Sequence, residues 1–310
     1  MEILYWLEKI RTPALDAAMS LLTELGGETV FLLLTIVVYW CVDKQKGYFM
    51  LVVGFAGLLI NQFLKLAIRI PRPWVRDPSF SIVESARADA GGYSFPSGHT
   101  QNATSSFGCI ARSTTKRWVR IFSISAVLIT GFSRMYLGVH TLADVVVSLL
   151  IGALLVWAIY PIMERSRKKP AILLAFMGAL SAAAVAFLLY VRFWRFPADI
   201  DMENLTSGTK NAYVMLGAML GGVCAFALDA RYVHFDTNAV WWAQALKLAI
   251  GLSVTLLLKE MLKAPLSALF GGHALAHTVR YFLLVFFAAG VWPSTFRYFS
   301  ALGKRKEVQP

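Results

Sequence analysis

The sequence predicts an all-α, polytopic membrane protein, a helical bundle of about nine spans with an interfacial amphipathic helix at its N-terminus. Three observations predict it. Of the 310 residues, 57% are AVILMFWYC and only 15% are DEKR, where an ordinary soluble domain carries about 25% charged residues. Mean hydropathy is +0.60, which a water-facing surface does not tolerate, because Lys, Glu, Arg and Asp belong on that surface. Apolar runs of about 20 residues recur along the chain, the length a helix needs to cross a bilayer. A soluble enzyme, a disordered chain and a collagen-like fibre are excluded. The net charge of +12 falls in short clusters between apolar runs, a pattern that speaks against a nucleic-acid partner. Cys41, Cys109 and Cys224 lie in apolar sequence without C-x-x-C spacing, so they predict no zinc site and no redox compartment.

Residues 1–26 form an N-terminal segment that does not read as a cleavable signal, since Glu2 precedes any basic residue and Glu8, Lys9, Arg11 and Asp16 interrupt the apolar stretch. Ile3, Leu7 and Ile10 recur at helical spacing, and Pro13 breaks or restarts the helix. An interfacial helix and a plain surface helix fit this pattern equally. The apolar runs then follow at 27–42, 48–70, 97–113, 118–137, 139–163, 171–192, 209–228, 237–262 and 277–298. The third carries Ser97, His99, Gln101, Asn102, Thr104, Ser105 and Ser106. So polar a helix belongs inside the bundle. Residues 27–164 form a core of five spans, and 165–310 add spans six to nine.

Basic residues set the orientation, because cytoplasmic loops carry the excess of Lys and Arg. Lys44 and Lys46, then Arg112, Lys116, Arg117 and Arg120, then Arg165, Arg167, Lys168 and Lys169, and the tail Lys304-Arg305-Lys306 gather on one side. That side is assigned to the cytoplasm, with the C-terminus. The longer connections 71–95 and 193–208, which mix in Asp77, Glu84, Asp89, Asp199, Asp201 and Glu203, face outward.

Three clusters at that outer end carry chemistry. Lys65, Arg69 and Arg72 are spaced i, i+4, i+7 and are expected on one helical face, with Pro73 following. Cations at a span's edge are costly unless paired or solvated, so they read as functional, with snorkelling toward headgroups as the bland alternative. Pro96-Ser97-Gly98-His99 precedes a helix, where free N–H groups and the helix dipole suit an anion and glycine permits close approach. His140 and Asp144 are i, i+4, which on one helix face sets a carboxylate beside the imidazole to hold one ring nitrogen protonated and free the other. Ser133-Arg134 stands just before them. Taken together, three cations, an anion nest, two histidines and an orienting carboxylate are the inventory of phosphoryl transfer, whose transition state spreads charge over equatorial oxygens.

These residues resemble the signature of the type 2 phosphatidic acid phosphatase superfamily, which includes glucose-6-phosphatase, sphingosine-1-phosphate phosphatases and vanadium haloperoxidases. Its three parts, KxxxxxxRP, PSGH and SRxxxxxHxxxD, are matched at every position by 65–73, 96–99 and 133–144. The resemblance implies a metal-independent phosphohistidine mechanism with no cofactor: His140 as nucleophile, Asp144 orienting it, and His99 as acid and then base. It further implies that Lys65, Arg72, Ser97, Gly98 and Arg134 bind the phosphoryl oxygens. The nine-span layout is similar to that of glucose-6-phosphatase and the sphingosine-1-phosphate phosphatases, a likeness of topology that transfers no substrate.

In the last spans, His273 and His277 with Arg280 read as lining a pocket mouth or meeting headgroups, and Lys259, Glu260 and Lys263 as an interfacial charge cluster. Gly217-x-x-x-Gly221 reads as an internal helix contact. Trp74, Trp194, Trp241, Trp242 and Trp292 read as interface anchors, and Trp74 also as a substrate contact. The function expected is hydrolysis of a lipid phosphate or diphosphate at the outer face of a bacterial plasma membrane, with membrane lipids around it and the oligomeric state open. The alternatives are a soluble sugar phosphate as substrate, a lipid phosphotransferase, or a transporter that uses the cations only to bind.

Overall fold

In the computed structural model, which describes residues 1–302, every regular element is a helix. The tail Lys304-Arg305-Lys306 lies outside the described residues. The chain divides into two units. The first comprises Met1–Thr35, Phe49–Met163 and Val191–Thr209, the second Ile36–Tyr48, Glu164–Tyr190 and the chain from Lys210 onward.

Among the described residues, six helical segments are long and apolar enough to cross a membrane: Lys44–Arg76, Arg117–Tyr136, Leu142–Ser166, Pro170–Phe193, Met202–Val233 and Leu275–Ala301. A seventh is added if Pro13–Gly26 and Glu28–Val42, bent by 47° at their junction, form one span. Six or seven thus stand where nine runs were expected. Three runs account for the difference from six, that at 27–42 counting only as half of the bent pair. The run at 237–262 folds as a helix, Trp241–Met261, but is not among the six. The run at 97–113 is a short helix interrupted by the π-turn Thr104–Gly108, well below the ~20 residues a span needs. Its polar side chains Thr100, Gln101, Thr104, Ser105 and Ser106 are all buried, as their chemistry requires in an apolar surround.

In the first unit, α1 (Glu2–Lys9) and α2 (Pro13–Thr23) come first. Thr12 caps α2, accepting from the Leu15 amide at 3.3 Å, and Pro13 takes the first helical position, where its missing N–H costs nothing. The α1 face differs from the one expected. Leu4 and Leu7 are the buried pair, packed with Phe80, Tyr136, Leu137 and Val139, while Ile3 and Ile10 are exposed. Protein rather than lipid covers that face, because α1 is tied to the 71–95 connection. Tyr5 donates to Asp77, the Ser81 amide donates to Glu8 at 3.0 Å, and Arg11 Nη1 donates to the Ser81 carbonyl at 2.8 Å.

After α3 (Glu28–Val37), the helices between Lys44 and Ser166 frame the first unit. The chain runs along α4 (Lys44–Ile68), passes the short α5 (Pro73–Arg76), and turns back through α6 (Gly98–Ala103) and α7 (Cys109–Ser113). It then forms α8 (Arg117–Tyr136) and α9 (Leu142–Ser166). Large apolar side chains such as Phe122, Leu128, Leu150, Leu154 and Trp157 point outward, the surface a bilayer solvates. Ala103, Phe107, Ala126 and Val127 pack inside.

The second unit is built on α10 (Pro170–Phe193), α11 (Met202–Leu228), α12 (Trp241–Met261), α13 (Lys263–Leu269), α14 (Leu275–Phe286) and α15 (Phe296–Ala301). A Cβ at Gly217 or Gly221 would fall 2.1 Å from the Thr278 carbonyl oxygen or 2.5 Å from that of Phe282. The small-residue pair is therefore an α11–α14 contact within the chain. His273 meets the Tyr213 ring edge-on at 5.8 Å and accepts from the Leu275 amide at 3.1 Å.

Candidate active site

The three signature segments occupy the C-terminal end of α4, the N-terminal end of α6, and the α8–α9 turn. Pro71 and Pro73 cannot continue a helix, and α4 stops at Ile68. Arg69 adopts a left-handed backbone with φ 57°, so Lys65, Arg69 and Arg72 do not share one helical face as expected. Lys65 and Arg72 instead converge on the carbonyls of the following connection. Lys65 Nζ donates to Tyr93 O at 2.6 Å, Arg72 Nε to Gly92 O at 3.0 Å, and Arg72 Nη2 to Gly91 O at 2.8 Å. Both side chains are buried, and carbonyl oxygens replace the water they have lost.

Ser97 is the N-cap of α6, its Oγ accepting from Thr100 Oγ1 at 2.9 Å. Its amide donates to Asp144 O at 3.2 Å, and its carbonyl accepts from Ser148 at 2.9 Å. These bonds fasten the start of α6 to the start of α9. Gly98 faces open space: a Cβ there would meet nothing within 4 Å.

The third segment departs from expectation in one respect. His140 and Asp144 do not lie along one helix face, because α9 begins only at Leu142. Gly138, at φ 82°, lets the chain reverse after α8. A side chain there would also collide with Arg11 Nη2 at 2.7 Å. Thr141 and Asp144 then cap α9 reciprocally: the Thr141 amide donates to Asp144 Oδ2 at 2.7 Å and the Asp144 amide to Thr141 Oγ1 at 3.4 Å. The expected pairing survives this change of geometry, with His140 Nδ1 3.5 Å from Asp144 Oδ2. Ser94 Oγ holds the same carboxylate oxygen at 2.6 Å.

On the other side of the His140 ring, Arg72 Nη1 lies 2.9 Å from Nε2, nearer than its 3.5 Å to Nδ1. A carboxylate at Nδ1 and a guanidinium at Nε2 select one tautomer, with the proton on Nδ1 and the lone pair on Nε2. Lys65, Arg72, Arg134 and His99 are all near enough to act on the charge of His140. Both histidines lie outside the membrane-spanning segments. Burial first, then the three cations and His99, holds His140 well below the usual histidine pKa. Burial followed by Arg134, Arg72 and Lys65 pushes His99 down to about 3. At neutral pH both imidazoles are therefore uncharged.

Arg134 is fully buried. Its Nη1 donates to Thr23 Oγ1 at 3.1 Å, while Nε and Nη2 are buried without a partner. Beside Arg72 opens a cavity of about 810 Å³ whose lining includes Arg69, Trp74, Tyr93, Asp199 and Asn204. The Trp74 ring lies 5.9 Å from the Arg72 guanidinium and 5.4 Å from that of Arg87. Among the described residues, no group of three or more His, Cys, Asp or Glu side chains could hold a metal ion. Thr23 and Ser94 are two polar partners that sequence reasoning missed. Neither lies in a motif or on a periodic face, so no local signal marks them.

Known proteins resemble parts of the chain. The PAP2 superfamily matches residues 45–168, and the PAP2 superfamily phosphatase transmembrane extension matches residues 213–305. Phosphatidylglycerophosphatase B of Bacillus subtilis is 30% identical over 172 residues, 51% of this chain and 80% of that protein. Undecaprenyl-diphosphatase BcrC of Bacillus subtilis is 32% identical over 145 residues, 46% of this chain and 71% of that protein. Human sphingosine-1-phosphate phosphatase 2 is 28% identical over 143 residues, 44% of this chain and 35% of that protein. No solved structure matches.

Proposed function

From membership of the PAP2 superfamily, to which this chain belongs, we propose that this integral membrane phosphatase hydrolyses a lipid phosphate or diphosphate at the extracytoplasmic face through a phosphohistidine. One observation carries the reading. Arg134 is a fully buried cation with two unpartnered N–H donors, beside His140, whose unprotonated Nε2 faces the Arg72 guanidinium at 2.9 Å. A tetrahedral anion completes that arrangement, with Lys65, Arg72, Arg134, the Ser97 hydroxyl and the Gly98 amide around its oxygens.

In the first step, His140 Nε2 attacks phosphorus and the bond to the leaving oxygen breaks, with His99 supplying a proton to that oxygen. Asp144 stabilises the imidazolium as it forms. In the second step, His99 takes a proton from water, the resulting hydroxide attacks phosphorus, and the N–P bond breaks to release inorganic phosphate. Burial and then three cations keep His99 neutral; the phosphate's own negative charge offsets the cations, so protonation of His99 accompanies substrate binding. No step calls for a metal or a cofactor.

A lipid substrate is supported by the relatives. Their names specify a phosphatidylglycerophosphatase, undecaprenyl-diphosphatases and sphingosine-1-phosphate phosphatases. The extracytoplasmic face is supported by charge. The basic clusters Arg112–Arg120 and Arg165–Lys169 adjoin the ends of α7, α8 and α9 away from the signature segments, and cytoplasmic loops carry such clusters. The same rule supports a cytoplasmic side for the basic tail Lys304-Arg305-Lys306, and the two Bacillus subtilis relatives support a bacterial plasma membrane.

The test is phosphate release by detergent-purified protein in excess EDTA, on phosphatidic acid, phosphatidylglycerol phosphate, undecaprenyl diphosphate, a sphingoid phosphate and glucose-6-phosphate. Wild type is expected to release phosphate from at least one lipid, and His140→Ala to lose at least ~1,000-fold. Release from glucose-6-phosphate alone would replace the lipid by a soluble substrate. Transfer to an added alcohol without hydrolysis would make the enzyme a transferase, and movement of lipid without phosphate release would make it a transporter.

A further inference from the structure

Thr23 lies outside both stretches matched by the family, yet it is the hydrogen-bond partner of Arg134. We propose that Thr23 is a positioning residue, aiming the Arg134 guanidinium at the phosphoryl group, and that the N-terminal segment is thereby part of the phosphate site. The proposal rests on the phosphatase reading above.

The argument begins with the shape of guanidinium. Its five N–H donors lie in one plane in a fixed fork. Holding Nη1 therefore fixes the direction of the whole group. Thr23 Oγ1 holds Nη1 at 3.1 Å, and the two unpartnered nitrogens are Nε and Nη2. Those two form the side edge of the fork, whose parallel N–H bonds match two oxygens of one phosphate.

The partner's chemistry suits this task. A carboxylate at position 23 would neutralise Arg134 and compete with the substrate, whereas a hydroxyl orients the cation and leaves its charge available.

The hydroxyl is itself held firmly. Thr23 is buried at the end of α2. The turn Glu24–Gly26 that follows lies flush against the second motif, since a Cβ on Gly26 would come within 2.4 Å of the His99 carbonyl oxygen and 2.6 Å of Thr130 Cγ2. Asp16 on α2 accepts from Tyr136 Oη at 2.9 Å, and Arg11 Nε donates to the Tyr136 carbonyl at 3.0 Å. The segment is thus anchored to the end of α8 that carries Arg134 and to the backbone of His99. It sets the distance between the two.

The experiment compares wild type, Thr23→Val and Thr23→Ser as full-length proteins in detergent, with size-exclusion elution and thermal midpoint as checks on folding. Three readouts are taken: kcat and KM on the best lipid substrate, inhibition by orthovanadate, and a cycle in which Thr23→Val is combined with Arg134→Lys. Thr23→Val keeps the shape and removes the hydroxyl. It is expected to lower kcat/KM about 10- to 100-fold, the scale of a misplaced catalytic group, and to weaken vanadate inhibition by a comparable factor. Thr23→Ser should restore both to within ~3-fold. In the Arg134→Lys background, Thr23→Val should cost almost nothing further, because the two residues act as one unit.

A folded Thr23→Val protein with unchanged kcat/KM overturns the proposal. So does a Thr23→Ser protein as impaired as Thr23→Val, which would make the methyl group the important part, and so does additivity in the cycle. If Val at this position prevents folding, Thr23→Ala takes its place and is judged by the same comparison with Ser. A wild type that releases no phosphate from any substrate refutes the phosphatase reading. Vanadate affinity, read by its protection against thermal unfolding, then still decides whether Thr23 shapes an anion site.

Discussion

Lys247 and Arg134 are both buried cations, one in each unit, and their surroundings treat them in opposite ways. Lys247 donates to Trp40 O at 2.8 Å and Thr237 O at 3.2 Å, and its ammonium sits 4.3 Å from the centre of the Phe296 ring. Its charge is enclosed by fixed partners, which is how an interior tolerates one. Arg134 has one neutral partner and two bare donors. A buried donor without a partner costs about 1–3 kcal/mol, and the fold carries two on the same guanidinium. The difference teaches how burial serves two ends: Lys247 is satisfied by fixed protein partners, whereas Arg134 keeps two donors for the anion of the proposed reaction.

The sharpest way to break this contrast is to remove each cation in turn. Arg134→Met should lower kcat/KM about 100- to 1,000-fold, the effect of losing a donor to the transition-state oxyanion. It should not lower the thermal midpoint, because the lost group was only partly satisfied. Steady-state kinetics and thermal unfolding on one preparation check both halves. If Arg134→Met unfolds the protein while leaving the activity of the folded fraction intact, the contrast fails.

Protons test the same region. Both imidazoles bind protons less readily in the folded protein than in the unfolded chain. Above about pH 6.5, the ordinary histidine value, both are neutral in either state and stability is full. As pH falls from there toward the His99 value of about 3, the unfolded chain gains protons that the folded one refuses, and stability is lost. By about pH 5 the loss from His99 should reach ~2 kcal/mol, and His140 adds to it in the same direction. Unfolding midpoints across this range should fall for wild type and fall less for His99→Asn. Equal slopes for the two proteins would remove His99 from the account.

Lys247→Met should do the reverse of Arg134→Met. Leaving the Trp40 carbonyl without its donor costs about 1–2 kcal/mol of stability, while kcat/KM of the folded protein stays within ~2-fold. A large kinetic effect with normal stability would show that the second unit contributes directly to the chemistry. The smallest change tests the approach to the nest. Gly98→Ala puts a methyl group where nothing else lies within 4 Å, so stability should hold within ~0.5 kcal/mol. KM and vanadate inhibition should nonetheless worsen severalfold, since the proposed reaction places phosphate in that space. Unchanged vanadate inhibition would mean that the anion sits elsewhere.

Much of the site could be read from the sequence because its chemistry sits in short motifs. PSGH predicts an N-cap and an open glycine from residue type alone, and Ser97 and Gly98 are found in those states. The i, i+4 spacing of His140 and Asp144 predicted their contact, but for the wrong reason. A capping box gathers them across the start of α9, since Gly138 turns the chain before the helix begins. The spacing of Lys65, Arg69 and Arg72 misled similarly. It assumed a helix through Pro71 and Pro73, where α4 had already ended. Hydropathy found the all-helical architecture and overcounted its spans, because a run such as 97–113 is apolar enough to register yet too short and polar to meet lipid. Thr23 was invisible, as its role depends on a tertiary contact 111 residues away in the chain.

The most direct measurement is to mix enzyme with substrate, quench in alkali within one turnover, and locate the phosphate by mass spectrometry on the peptides of wild type, His140→Ala and His99→Ala. The account predicts an alkali-stable, acid-labile phosphate on His140 in wild type, its accumulation in any slow turnover by His99→Ala, and its absence from His140→Ala. Steady turnover with phosphate on another residue, or with none on the protein at all, would contradict it.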